Sequence, residues 1–101
     1  MRQIMVRYTV KPEHAARNEE FVRRVYQELQ QTALSGIHYA TFALDDGVSF
    51  VHLASFESDD GNPLTELAAF RAFQETIGDR VTEPPQVMNL REVGSYGVFG
   101  G

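Results

Sequence analysis

Hydrophobic and polar side chains alternate along the start of the chain with a period of two. This alternation predicts a β-strand over residues 3–10, because successive side chains of a strand point to opposite faces. One side carries Ile4, Val6, Tyr8 and Val10, and the other carries Met5, Arg7 and Thr9.

A helical period replaces the alternation between Glu13 and Thr32. Pro12 suits the first turn of this helix, and Gly36 is predicted to give the left-handed end that stops it. The residues that recur at steps of three and four are Asn18, Phe21, Val22, Val25, Leu29 and Thr32. Their spacing predicts one buried face and an outer face rich in charge.

Residues 37–57 contain two β-rich runs around Asp45-Asp46-Gly47, which predicts a hairpin. Two registers are open at this point. If Asp46-Gly47 forms a two-residue turn, His52 lies opposite Thr41. A three-residue loop with a glycine bulge places His52 opposite Ala40 instead, and this slip moves the strand's partners to the other face.

A second helix is predicted to begin at Asn62-Pro63, a capping residue followed by proline. Its apolar stripe consists of Leu64, Leu67, Phe70, Phe73 and Ile77. Pro84-Pro85 ends the helical region and leads into a last strand, Gln86 to Val93, with a glycine-containing tail from about residue 94. The order is therefore βαββαβ in one domain spanning residues 1–101, with both helices on one face of a four-stranded antiparallel sheet.

The face of this sheet that the helices leave open also carries large apolar residues. Exposing several such side chains would forgo several kcal/mol at roughly 25 cal/mol per square ångström, and large apolar patches usually mark an interface. We therefore expect a two-fold homodimer in which a second copy covers this face.

Composition narrows the classes of function. The 101 residues include 9 basic and 14 acidic side chains, for a net charge of -5. This charge has the wrong sign for nucleic acid binding, although the run 46–53 is superficially similar to the third-strand motif of RNA-recognition domains. Cysteine is absent, which agrees with a reducing compartment, and we expect a cytoplasmic protein with no membrane partner.

Three stretches carry a resemblance to a known family: IMVRYTVKPEHAARNEEFV, GIHYATFALDDGVSFVHLASFE and LAAFRAF followed by a final strand. Together they resemble the antibiotic biosynthesis monooxygenase-like family of dimeric α+β barrel proteins. The resemblance implies an α+β, ferredoxin-like protomer that dimerises into an α+β barrel, with a small-molecule pocket between sheet and helices. Members include monooxygenases that act on quinols or polyketides without a cofactor, haem-degrading enzymes, isomerases and proteins with no established activity.

Departures from the family pattern narrow what the resemblance implies. Haem-degrading members resemble one another in having a tryptophan and a histidine in the second helix. This chain has no tryptophan and no histidine in its second helix, so haem degradation is disfavoured. No cofactor is expected. The three histidines show no paired spacing typical of metal ligands, so no metal site is expected either.

His52 is the candidate catalytic residue, because a histidine in an apolar strand can have a pKa that suits proton transfer. A hydrogen-bonded structural histidine is the alternative. Tyr39 and Thr41 share its face if the hairpin has the two-residue turn, and their hydroxyls could orient a substrate oxygen. The aromatic residues expected to contact a small hydrophobic or aromatic substrate are Phe50, Phe70 and Phe73. Two functions remain open: a cofactor-independent monooxygenase acting on an aromatic or quinol-type compound, and a non-catalytic dimer that binds a small hydrophobic ligand.

Overall fold

The computed structural model describes residues 2–98, which form a four-stranded antiparallel sheet packed against two helices. The sheet order is β2-β3-β1-β4, the order of the ferredoxin-like fold, so the predicted α+β fold class is confirmed. The elements are β1 (Arg2–Thr9), a 3-10 turn (Pro12–His14), α1 (Ala15–Thr32), β2 (Ile37–Ala43), β3 (Ser49–Phe56), a second 3-10 turn (Pro63–Glu66), α2 (Ala68–Arg80) and β4 (Gln86–Leu90). No helix within these residues is both long and apolar enough to cross a membrane.

The hydrophobic core lies between one face of the sheet and the two helices. The strands contribute Tyr8 and Phe50, α1 contributes Val22 and Val25, and α2 contributes aromatic side chains. The buried members of the core are Tyr8, Val10, Val22, Val25, Phe50, Leu64, Leu67, Phe70, Phe73 and Val81. The alternating pattern of β1 and the stripe of α1 therefore meet on this side, as the two periods predict.

The hairpin register is the one that places His52 opposite Thr41. The connection is longer than a two-residue turn, because the amide of Leu44 donates to the carbonyl of Ser49 across a four-residue loop. The side chain of Asp46 holds this loop. It accepts hydrogen bonds from the backbone amides of Val48, at 3.0 Å, and of Ser49, at 2.8 Å. A four-residue loop preserves the pairing of the two-residue turn, so the helix-facing side of β3 includes His52.

The end of α1 differs from the prediction. Ala33, with a φ of 51°, takes the left-handed position and its amide donates to the carbonyl of Leu29. Gly36 also has a positive φ of 81°, but it lies in the loop just before β2. The prediction that Gly36 ends the helix is therefore wrong. The helix ends at Thr32, and Ala33 adopts the left-handed conformation that was expected of a glycine.

The second helical region is also divided. Asn62 caps the 3-10 turn by accepting from the amide of Leu64 at 2.9 Å, but Leu67 is extended and α2 starts only at Ala68. The carboxylate of Glu28, on α1, accepts from the first two amides of α2. The prediction of a continuous helix from Asn62 is therefore wrong, because α2 begins where the carboxylate of Glu28 caps its first amides.

The last strand is shorter than predicted, ending at Leu90 rather than Val93. Residues 91–98 are exposed, and Tyr96 is fully exposed in the single chain. The end of the predicted glycine-containing tail, residues 99–101, lies outside the described residues.

The face of the sheet that points away from the helices is apolar. Met5, Val51 and Leu53 lie at its centre, and Phe42, Met88 and Leu90 toward its edges are between 36% and 44% exposed. The structure therefore has the second apolar face that the sequence pattern predicts.

Candidate functional site

A cavity of about 390 Å³ opens between the helix-facing side of the sheet and α2. Its walls are mainly apolar, with a few polar side chains facing inward. The lining residues used below are Tyr8, Tyr39, His52, Phe70, Phe73 and Gln74. The volume falls within the range of pockets that bind small organic molecules.

His52 is the central polar residue of this wall and is only 4% exposed. Its Nε2 lies 2.7 Å from the hydroxyl of Tyr8, on the neighbouring strand β1. Its Nδ1 lies 2.6 Å from the hydroxyl of Tyr39 and 3.0 Å from that of Thr41, both on β2. Both ring nitrogens are therefore hydrogen-bonded to hydroxyl groups of the two flanking strands.

Arg80 anchors the other end of this network and is only 2% exposed. Its Nε donates to Oδ1 of Asn18 at 3.0 Å, and Nδ2 of Asn18 donates to the hydroxyl of Tyr8 at 2.9 Å. The guanidinium also lies 4.2 Å from the ring centre of Phe21 and donates to Thr76. Among residues 2–98, no carboxylate forms an ion pair with it.

Arg80 determines the direction of these hydrogen bonds, because a guanidinium can only donate. Asn18 must turn its carbonyl toward Arg80 and its amide toward Tyr8. Tyr8 then accepts a hydrogen bond from Asn18 and donates its own hydroxyl proton to Nε2 of His52. The neutral ring consequently carries its hydrogen on Nδ1, where Tyr39 and Thr41 can accept it. This assignment rests on donor and acceptor chemistry.

Burial shifts the pKa of the ionisable groups toward their neutral forms. It lowers the pKa of His52 to about 4, and it raises the pKa of Tyr8 to about 12 even though the hydrogen bond from Asn18 and the charge of Arg80 act in the opposite direction. Burial likewise raises the pKa of Tyr39, further than that of Tyr8. At neutral pH the site is therefore a chain of uncharged donors and acceptors with one cation, Arg80, behind it. The expectation that burial gives His52 a pKa near neutrality is wrong: burial lowers the pKa below that range, so the ring can accept a proton only if it passes one on.

The network continues beyond His52 on the side away from the cavity. The hydroxyl of Thr41 lies 2.8 Å from that of Tyr26, on α1. The ring of Tyr26 stacks on that of Tyr39 at 5.3 Å between centres, and Tyr39 stacks on His52 at 5.8 Å. The hydroxyl of Thr41 is thus fixed between the imidazole and a helix side chain.

The structure brings most of the predicted site residues together. Tyr39, Phe70 and Phe73 line the cavity beside His52. Thr41 contacts His52 but, like Phe50, is not among the residues that line the cavity. Phe50 packs against Tyr8 with ring centres 5.6 Å apart and so supports the wall from behind.

The network includes four residues that were not predicted as site residues: Tyr8, Asn18, Tyr26 and Arg80. Asn18 carries the clearest signal, because it is a polar residue on the apolar stripe of α1 and is fully buried. A buried amide needs partners, and this requirement alone points to a polar group on the facing strand. Arg80 gives no such signal, since a basic residue in the last turn is common at helix ends.

A wider groove of about 840 Å³ lies between the β2-β3 hairpin and the exposed C-terminal segment, and it shares Tyr39 and Ala54 with the cavity. It does not include His52, so we assign the candidate site to the smaller cavity. Within residues 2–98, no group of three histidine, aspartate or glutamate side chains is placed to bind a metal ion.

Comparison with known proteins finds similarity in structure alone. No protein-family model matches the chain, and no curated protein matches it by sequence. A Nitrosomonas europaea protein named "Putative antibiotic biosynthesis monooxygenase" has 19% identity and a TM-score of 0.75, with 93% of this chain and 100% of that chain covered. A Caulobacter crescentus protein of the same name has 18% identity and a TM-score of 0.72, with coverages of 92% and 90%.

A structure from Mycobacterium tuberculosis is similar to the same degree, with 15% identity, a TM-score of 0.75 and coverages of 93% and 96%. Many of the similar structures are antibiotic biosynthesis monooxygenase-like proteins, so the resemblance seen in the sequence is confirmed as a likeness of fold. Function has to be argued from the cavity and its side chains.

Proposed function

We propose that this protein is a cytoplasmic, cofactor-independent monooxygenase-like enzyme that oxidises a small aromatic or quinol-type compound with dioxygen. The substrate binds in the cavity between the sheet and α2, with its ring against Phe70 and Phe73 and its hydroxyl against Tyr8. His52 is the base, and it receives the substrate's proton through Tyr8. The fold of the similar structures supports the reaction class.

The single observation that carries this proposal is the position of His52. It lines an apolar cavity of suitable size and is neutral at physiological pH, with Nε2 held against a phenol that also lines the cavity. A substrate hydroxyl that donates to Tyr8 lets Tyr8 pass its own proton to Nε2. The hydrogen bond between Tyr8 and His52, together with one from the substrate to Tyr8, would therefore connect the substrate to the base.

The oxidation itself needs little from the protein. For a phenol converted to a quinone, the substrate supplies the four electrons that reduce dioxygen. One oxygen atom becomes the new carbonyl, and the other leaves as water with two substrate hydrogens. The phenolate adds to dioxygen, the resulting peroxide anion takes a proton, and water is eliminated. The protein's part is to remove and return that proton and to shield the anion, which the fixed charge of Arg80 favours.

Oxygen uptake with a panel of dihydroxyaromatic compounds tests the proposal. We expect His52→Ala to reduce uptake about 100-fold, the lower end of what a positioned base contributes, and Tyr8→Phe to reduce it as well. The matched control is His14→Ala, which removes a histidine from the first 3-10 turn, outside both the cavity and the open face of the sheet, and should leave uptake unchanged. Uptake that survives in His52→Ala would exclude this residue as the base.

A non-catalytic binding protein is the second candidate, and the hydrogen bonds of His52 favour it. Both ring nitrogens already have partners within the protein, as in a structural histidine. The same panel separates the two functions. Absence of uptake with every compound, together with tight binding of a hydrophobic compound in the cavity, would establish the binding protein.

In either case we propose that the protein is a homodimer whose copies pack through the open faces of their sheets. The exposed apolar residues of that face, together with the wider groove next to it, provide a surface that a second copy would cover. Leu53→Asp, at the centre of this face, should yield monomers in analytical ultracentrifugation. The matched control, Gln27→Asp on the outer side of α1, should stay dimeric. A wild-type protein that sediments as a monomer would overturn the proposal.

A further inference from the structure

We propose that Thr41 and Tyr26 form an exit through which a proton on His52 reaches the surface without passing back through the cavity. This inference rests on the proposed function, since it concerns the proton that His52 takes from the substrate. Neither residue contacts the substrate in this scheme, and both act through His52.

The contacts form a continuous path. Nδ1 of His52 lies 3.0 Å from the hydroxyl of Thr41, which lies 2.8 Å from the hydroxyl of Tyr26. Tyr26 is only partly buried, and Tyr26 and Thr41 both line a surface depression of about 220 Å³. That depression also includes Glu19 and Arg23, an ion pair 3.6 Å apart with exposed side chains. The path therefore ends at a surface depression that is lined in part by charged side chains.

The direction of the hydrogen bonds suits transport outward. Arg80 fixes Asn18, Asn18 fixes Tyr8, and Tyr8 donates to Nε2, so Nδ1 carries the hydrogen that can be donated to Thr41. When a proton enters at Nε2, the hydrogen on Nδ1 passes to Thr41. The proton of Thr41 passes to Tyr26, and that of Tyr26 passes to water. One proton enters and one leaves.

An exit is needed because His52 cannot hold the proton. Burial lowers the pKa of the ring to about 4, so a charged imidazolium inside the core is strongly disfavoured at neutral pH. The peroxide anion formed later in the reaction needs a proton, which can return along the same path. Its return reverses every hydrogen bond of the chain and restores the original tautomer of His52.

Tyr39 is the competing partner of the same nitrogen. Its hydroxyl lies 2.6 Å from Nδ1, and the residue lines both the cavity and the wider groove. The two partners thus define two routes, one through Thr41 and Tyr26 to the depression beside α1 and one through Tyr39 to the cavity or the groove. Substituting each in turn distinguishes them.

The experiment measures the exchange of the His52 ring N–H with water by nitrogen-edited nuclear magnetic resonance, in protein labelled at histidine and without any substrate. His14→Gln and His38→Gln leave His52 as the single histidine and assign its signal. We expect Tyr26→Phe to slow this exchange at least about tenfold, because it removes the hydroxyl that takes the proton from Thr41 while leaving Thr41 bonded to Nδ1. Tyr96→Phe removes an exposed phenol far from the network and is the matched control.

Substitutions at Thr41 and Tyr39 complete the test. Thr41→Val should slow the exchange as Tyr26→Phe does, and Thr41→Ser, which retains the hydroxyl, should restore it. Tyr39→Phe should not slow it. Unchanged exchange in Tyr26→Phe and Thr41→Val would overturn the proposal, as would an equal slowing in Tyr39→Phe.

Turnover provides a second, separate readout. With a compound that supports oxygen uptake, Tyr26→Phe should lower kcat and enlarge the solvent deuterium isotope effect while leaving KM unchanged. If no compound is oxidised, the proposed function fails, but the exchange measurement still decides whether the path exists. The two failures are therefore distinguishable.

Discussion

Lowering the pH is expected to destabilise the protein through His52. Burial lowers the pKa of this ring from 6.5 to about 4 in the folded protein. Between these values the unfolded chain binds a proton that the folded chain does not. The contribution of the neutral ring to the free energy of unfolding is therefore complete above about pH 6.5 and is lost as the pH falls toward about 4.

The size of the effect follows from the difference between the two pKa values. Each unit corresponds to about 1.36 kcal/mol, so a difference of about 2.5 units amounts to about 3 kcal/mol when the loss is complete. At about pH 5 the loss is about 2 kcal/mol. This is a large share of the stability of a small domain, which is typically about 5–15 kcal/mol.

Urea denaturation at a series of pH values measures this loss, with the protein concentration held constant because a dimer's stability depends on it. His52→Gln removes the titrating ring, so the wild type should lose about 2 kcal/mol more than this variant between about pH 7 and about pH 5. Gln27→Ala, which changes an exposed residue of α1 and retains His52, should lose as much as the wild type. A parallel loss in wild type and His52→Gln would refute the assignment of a buried neutral ring.

Three further substitutions test the packing around the site, each read out by urea denaturation. Glu28→Ala should destabilise the protein by about 1 kcal/mol because it removes the cap of α2, whereas Glu20→Ala, which breaks only an exposed pair, should cost less than about 0.5 kcal/mol. Ala33→Gly should stabilise by about 1 kcal/mol, since glycine accepts the left-handed conformation, and Gln27→Gly within α1 should destabilise by a similar amount. Asn18→Leu should cost about 1–3 kcal/mol by leaving Arg80 and Tyr8 without their buried partner, and a near-neutral result would contradict the network.

The fold could be predicted from the sequence because its periods are strong. The alternation of β1, the stripe of α1 and the turn residues around Asp46 define the elements and their order. The helix boundaries were harder, since they depend on contacts between distant residues. The start of α2 depends on Glu28, forty residues earlier in the chain, and no local pattern contains that information.

The candidate site was predictable only in part. His52 and Tyr39 follow from one strand pairing, so they could be predicted once a register was chosen. The link from Tyr8 through Asn18 to Arg80 joins β1, α1 and α2, and it depends on how the helices are placed across the sheet. Period and composition describe each element separately and cannot supply that placement.

The stacking of Tyr26 on Tyr39 and of Tyr8 on His52 has a practical consequence for spectroscopy. The chain contains four tyrosines and no tryptophan, so tyrosine emission can be recorded without a tryptophan background. Three of the four belong to the cluster around the cavity, and the fourth, Tyr96, is exposed. A Tyr96→Phe protein would therefore carry its fluorophores only at the candidate site, and its emission would report occupancy directly, with no label attached.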